Sequence, residues 1–100
     1  MVRPTVRFGL FEWDLVKEFE NKRKHGVDFT AAARTFLDPD RIIAKDEKHS
    51  DTEERLFCIG KCVNQILTVR YTKRGDQIRI IGAGCWRKET KLYENKTKKK

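Results

Sequence analysis

Residues 55–84 read RLFCIGKCVNQILTVRYTKRGDQIRIIGAG, and the period of that stretch decides the fold. RLFCIG (55–60), QILTVRYT (65–72) and QIRIIGAG (77–84) are extended runs rich in β-branched and aromatic residues. Polar or Gly-containing connections, KCVN (61–64) and KRGD (73–76), divide them. With RIIAKD (41–46) upstream, four strands follow one another as a meander.

Upstream of the meander the period is helical. Asp14 is placed to cap a helix over 14–25, in which Leu15, Val16 and Phe19 share one face and Lys22, Arg23 and Lys24 crowd the last turn before Gly26. Asp28 caps a second helix, whose Phe29, Ala32, Ala33, Phe36 and Leu37 form a core-facing stripe that Asp38-Pro39 stops. VRFGLFEW (6–13) reads as one strand ahead of both helices, and a short helix is expected from about Trp86 to Asn95. The order β-α-α-β-β-β-β-α describes an α+β domain, a central antiparallel sheet with helices packed on one face. Residues 1–95 are expected to form that single domain and 96–100 (KTKKK) a disordered basic tail.

Loop length sets the register of the meander. If the two four-residue connections are simple hairpins, Arg55 stands opposite Arg70 and Arg70 opposite Arg79, three arginines in a row on one face. Like charges side by side destabilise a sheet, by about 0.2 to 1 kcal/mol per pair. A fold needs no such row, whereas guanidinium forks bind phosphate and stabilise charge developing on it. Solvated arginines paired with Glu53, Asp76 or Glu89 are the plainer reading, and a bulge or a longer strand would move one of the three.

The chain has 100 residues and a net charge of +8, from 23 Lys and Arg against 15 Asp and Glu. Residues 86–100 hold seven basic and two acidic side chains, most of the excess. Such a balance suits a polyanion, an anionic membrane surface or an acidic protein. At 38% hydrophobic the chain fills one core but not a doubly wound domain. No run approaches the roughly 18 apolar residues of a membrane span, and no signal peptide opens the chain, so a cytoplasmic protein is expected. Cys58, Cys62 and Cys85 form no CxxC pair and no metal quartet. Without GxGxxG, Walker, HExxH or GxSxG motifs, hydride transfer, nucleotide hydrolysis, zinc proteolysis and serine hydrolysis have no support. No cofactor or metal is expected. His25, at the end of the first helix, reads as a cap or dipole contact rather than a catalyst, and His49, in the loop EKHSDTEE, is either a solvated loop side chain, the plainer reading, or an acid or base near neutral pH.

FEWD (11–14), the spaced Lys17 and Asn21, KHGV-x-F (24–29), A-x-x-F-x-DP (33–39), HS-x-x-E-x-R (49–55), YT-x-R (71–74) and RII (79–81) together resemble the BrnT family. The resemblance runs in order over most of the chain. It implies a RelE-like fold, a type II toxin that cleaves RNA and restrains translation, and a BrnA-like antitoxin that neutralises it in a hetero-oligomer. Arg55 and Arg79 fall on motif positions and Arg70 does not. Many BrnT-like chains continue RII as Ser-Ala-Arg; here the chain reads Gly82-Ala83-Gly84-Cys85-Trp86-Arg87-Lys88. Either Arg87 replaces the missing guanidinium or catalysis is weakened.

RNA cleavage without a metal needs a base, an acid and cations for the transition state, and arginine supplies only the last. Arg55, Arg79 and Arg87 are therefore assigned to phosphate, and His49 or Glu54 to proton transfer. Lys22, Lys24, Arg70, Arg74, Lys88 and the basic C-terminal segment would track the RNA, with Tyr71 or Trp86 stacking a base. Two rival readings are a non-cutting module that binds antitoxin or nucleic acid, and a ParE-type toxin directed at gyrase.

Overall fold

The computed structural model describes residues 3–50 and 52–98. In chain order the elements are β1 (Thr5–Phe8), β2 (Phe11–Asp14), α1 (Leu15–His25), α2 (Phe29–Thr35), β3 (Ile42–Lys45), β4 (Arg55–Cys62), β5 (Gln65–Arg74), β6 (Gln77–Gly84) and α3 (Arg87–Lys98). A 3-10 turn, Glu47–His49, lies between β3 and β4. The strands form one six-stranded sheet in the order β1-β2-β6-β5-β4-β3.

The α+β class stands, with two corrections to the sheet. VRFGLFEW is a hairpin, not one strand, because Gly9 takes a positive φ of 61° and turns the chain between Phe8 and Phe11. The sheet is mixed: β2 runs parallel to β6, pairing Phe11 with Ile78 and Trp13 with Ile80. Only the other neighbours are antiparallel.

The helices do not share one face. Phe29, Ala32 and Ala33 of α2 bury against Trp13, Cys58, Leu67, Val69, Tyr71 and Ile80, which form the core on one side of the sheet. Thr68 and Arg70 alternate with Val69 and Tyr71 and so point to the other side. There Trp86, at the start of α3, stands over Gly84, the cross-strand partner of Thr68.

Helix α1 sits beside the sheet rather than on it, and polar groups seat it. Past Ile80 strand β6 has no β2 partner, and Asn21 takes that place. Its amide donates to the carbonyls of Ala83 and Val27 (both 2.9 Å) and accepts from the Ala83 N–H (3.1 Å). Glu18 accepts from the Trp13 indole N–H and the Phe29 N–H, each at 2.9 Å. The apolar stripe Leu15, Val16 and Phe19 faces solvent. Asp14 caps the helix as expected, accepting from the N–H groups of Val16 and Lys17, and Gly26 closes it in the left-handed conformation. Asp28 caps α2, which ends at Thr35 and leaves Leu37 exposed. α3 continues to Lys98, beyond the expected end at Asn95, so part of the expected tail is helical; Lys99 and Lys100 lie outside the described residues.

The meander's register differs from the expectation by two residues. Both connections are two-residue turns, Val63-Asn64 and Gly75-Asp76, so Cys62 pairs with Gln65 and Arg74 with Gln77. Arg55 therefore lies opposite Thr72, which lies opposite Arg79. Arg70 lies one pleat further along, between Phe57 and Gly82, beside a bulge that leaves Ile81 unpaired. Because side chains alternate with period 2, the slip of two keeps all three arginines on the face away from α2.

Candidate functional site

The connection from β3 to β4 is folded onto Arg55. The Asp46 N–H donates to the Arg55 carbonyl (2.8 Å), Ser50 Oγ donates to the Asp46 carbonyl (2.7 Å), and the Arg55 N–H donates to Ser50 Oγ (3.0 Å). This fixes Asp46, 5% exposed, with Oδ2 2.9 Å from Nδ1 of His49. A carboxylate on Nδ1 holds the imidazole as the Nδ1–H tautomer and leaves Nε2 to take or give a proton. His49 is otherwise open to solvent.

Two adjoining cavities meet at Arg70. One, of about 350 Å³, is walled by Lys17, Glu20, Lys24 and His25 of α1 and floored by Arg55, Arg70 and Gly82. The other, of about 210 Å³, is lined by His49, Asp46, Phe57, Thr68, Trp86 and Glu89 together with Arg70. Among the described residues Arg70 has no hydrogen-bond or ion-pair partner. Arg55 is half-buried; its Nη2 is 3.8 Å from Glu53 and its Nε is buried with no partner. Guanidinium nitrogens left without a partner at a groove can take an anion.

Arg79 lies on the same face of the sheet but is turned to Glu12. Its Nη1 is 2.8 Å from Oε2 of buried Glu12, whose other oxygen meets Arg7 at 3.3 Å. Arg55, Arg70 and His49 are thus brought together, and Arg79 is committed to an ion pair in the sheet.

The remaining expected residues are scattered around this centre. Lys24 lies on the groove wall, but Lys22 faces the other side of α1 beside Phe19 and Asp28. Arg74 pairs with Glu53 at 3.4 Å. Arg87 is exposed and lines neither cavity, and Lys88 is exposed on α3 beside Leu92. Glu54 is exposed, and its carbonyl accepts from the Thr72 hydroxyl at 2.7 Å. Tyr71 is buried beneath α2, edge-on to Phe36 at 4.9 Å, so it presents no ring to a ligand. Burial raises its pKa. Trp86 does border the groove, edge-on to His25 at 5.4 Å.

Glycines at 82 and 84 follow from this packing. A Cβ on Gly84 would lie 2.9 Å from two carbons of the Trp86 ring, so a side chain there and Trp86 in its present place exclude each other. Gly82 lies opposite Arg70 and leaves the space above that guanidinium open. The arginine beside the groove is Arg70, not Arg87.

Sequence reasoning missed Asp46 and the anchoring role of Asn21. Asp46 had a local signal, its position three residues before His49 in a polar turn. Asn21 had only its place in the family motif, which does not tell what it holds, because its partner Ala83 lies 62 residues away. Among the described residues no three His, Cys, Asp or Glu side chains converge as a metal site.

A basic α+β domain whose open sheet face carries Arg70, without a partner among the described residues, with Arg55 beside it and a carboxylate-held histidine, has the chemistry of the small proteins that engage a phosphodiester polyanion. The family model described as "Ribonuclease toxin, BrnT, of type II toxin-antitoxin system" matches residues 13–90, and the chain belongs to this family. No curated protein matches the chain. Membership carries the type II toxin-antitoxin setting, with an antitoxin as partner and RNA as substrate. Among the described residues no helix is long and apolar enough to cross a membrane.

Proposed function

We propose that the chain is an endoribonuclease toxin that cuts RNA without a metal ion and so inhibits translation, with the chemistry centred on His49. The observation that carries this reading is the Asp46-held imidazole opening on the same cavity as the unpaired guanidinium of Arg70.

In this mechanism Nε2 of His49 moves the proton, either from the attacking 2′-hydroxyl or to the leaving 5′-oxygen. Asp46 holds the tautomer and balances the imidazolium. Arg70 and Arg55 bind the scissile phosphate and stabilise the charge that builds on it. Lys24 and Lys17, on the α1 wall, guide the backbone into the groove, an electrostatic contribution that salt screens. Arg79 acts through the sheet, not on the phosphate. Glu54 and Arg87 are left without a direct part.

A BrnA-like antitoxin would neutralise the toxin in a cytoplasmic complex. Support for a protein partner comes from the solvent-facing stripe Leu15, Val16 and Phe19 on α1, an apolar surface that the fold itself leaves uncovered.

The test is cleavage of a structured RNA in EDTA by the purified chain and by His49→Ala and Arg70→Ala. Cleavage by the wild type alone is the expected result. Cleavage undiminished in both variants would overturn the assignment.

A further inference from the structure

The smaller cavity has a composition that phosphate binding does not require. Phe57 and Trp86 supply aromatic surface, Glu89 supplies a carboxylate, and the Thr68 hydroxyl is buried with no partner. Among the described residues Glu89 has no hydrogen-bond or ion-pair partner, although it shares the cavity with Arg70. A carboxylate repels phosphate, so its place beside the arginine at the centre of the groove speaks for a ligand that also donates hydrogen bonds. The volume of about 210 Å³ is below the roughly 300–1,000 Å³ of clefts that take whole drug-sized molecules. It suits one planar heterocycle.

We infer that this cavity is a nucleobase pocket selective for guanine, seating the base next to the phosphate that His49 and Arg70 address. The inference rests on the ribonuclease reading for its place in the reaction, but the pocket has its own chemistry. Guanine presents two adjacent donors, N1–H and the N2 amino group, which match the two oxygens of one carboxylate. Its O6 accepts, which matches the hydroxyl of Thr68 as donor. Adenine and cytosine each place a ring-nitrogen acceptor next to their amino group and would face the Glu89 carboxylate lone pair to lone pair. Uracil offers one ring N–H flanked by two carbonyls. Trp86 and Phe57 add stacking and apolar contact that every base can use, so discrimination falls to Glu89 and Thr68.

The experiment is titration of the ¹⁵N-labelled full chain with 3′-GMP, 3′-AMP, 3′-CMP and 3′-UMP, with inorganic phosphate as the anion control. The signal followed is the Trp86 indole N–H; that of Trp13 is held by Glu18 and serves as the internal reference. Binding of 3′-GMP is expected to be tighter than that of the other three by roughly 5- to 150-fold, the usual span for one bidentate base contact. Glu89→Gln removes the paired acceptors and should reduce that preference to near unity. Thr68→Val should reduce it in part. Equal affinities in the wild type, or a guanine preference that survives Glu89→Gln in a variant with an unchanged far-ultraviolet spectrum, would overturn the pocket.

Cleavage mapping separates this inference from the reading beneath it. RNA cut with no guanine bias would remove the pocket and leave the ribonuclease. Guanine-selective binding by a chain that cuts no RNA would keep the pocket and remove the nuclease assignment.

Discussion

Asp46 Oδ2 lies 2.9 Å from His49 Nδ1, and the Asp46 carbonyl is held by Ser50, so one short turn fixes both the imidazole and the carboxylate behind it. If His49 moves the proton, His49→Ala should slow RNA cleavage by about 10²- to 10⁴-fold, the usual contribution of a positioned acid or base. Asp46→Asn should show part of that loss, because the amide keeps a hydrogen bond but does not enforce the tautomer. Initial rates on a fluorogenic RNA, with melting curves as a control for folding, check both.

Arg70 and Arg79 are expected to separate by phenotype. Arg70→Ala should leave the melting temperature nearly unchanged and abolish most cleavage and RNA binding. Arg79→Ala removes a 2.8 Å partner of buried Glu12 and should destabilise the fold by about 2 kcal/mol, with Arg7 softening the loss. Denaturant unfolding of the two variants beside their cleavage rates is the measurement.

Asn21 should matter more to stability than any apolar residue of its helix. Asn21→Ala leaves the N–H and C=O of Ala83 unpaired in a buried place, at a cost of about 3 kcal/mol. Phe19→Ala on the solvent-facing stripe should change stability by no more than about 0.5 kcal/mol. Urea titrations compare them directly.

The thiols should differ in reactivity. Burial pushes Cys58 up to about 12, whereas Cys85 is exposed. At pH 8 an alkylating reagent should modify Cys85 in the folded chain and reach Cys58 only on unfolding. Peptide mass mapping reads the order.

Alkaline pH should destabilise the fold in a defined direction. Cys58, from 9.0, and Tyr93, from 10.0, are each raised to about 12, Cys58 by burial and Tyr93 by burial and by its hydroxyl donating to Asp38. The unfolded chain loses these protons first. The stability they hold is therefore complete below about pH 9 and is lost as pH rises toward 12. Melting temperatures at pH 8, 10 and 11 should fall in that order.

The alternating pattern of 55–84 and the caps at Asp14 and Asp28 were enough to place five of the nine strands and α-helices among the described residues, because strand period and capping are local properties of a few adjacent residues. The family motifs likewise needed only order and spacing. Parity also survived, since a register slip of two leaves every side chain on its own face, and the arginines stayed on the side away from α2. What local pattern could not decide was which arginine is spent. That depends on Glu12 meeting Arg79 across parallel strands 67 residues apart, while Arg70, among the described residues the one that borders both cavities, meets no such partner. The number and kind of cations were written in the sequence; their availability was decided only by tertiary contacts, because a charge is free or neutralised according to what long-range packing puts beside it.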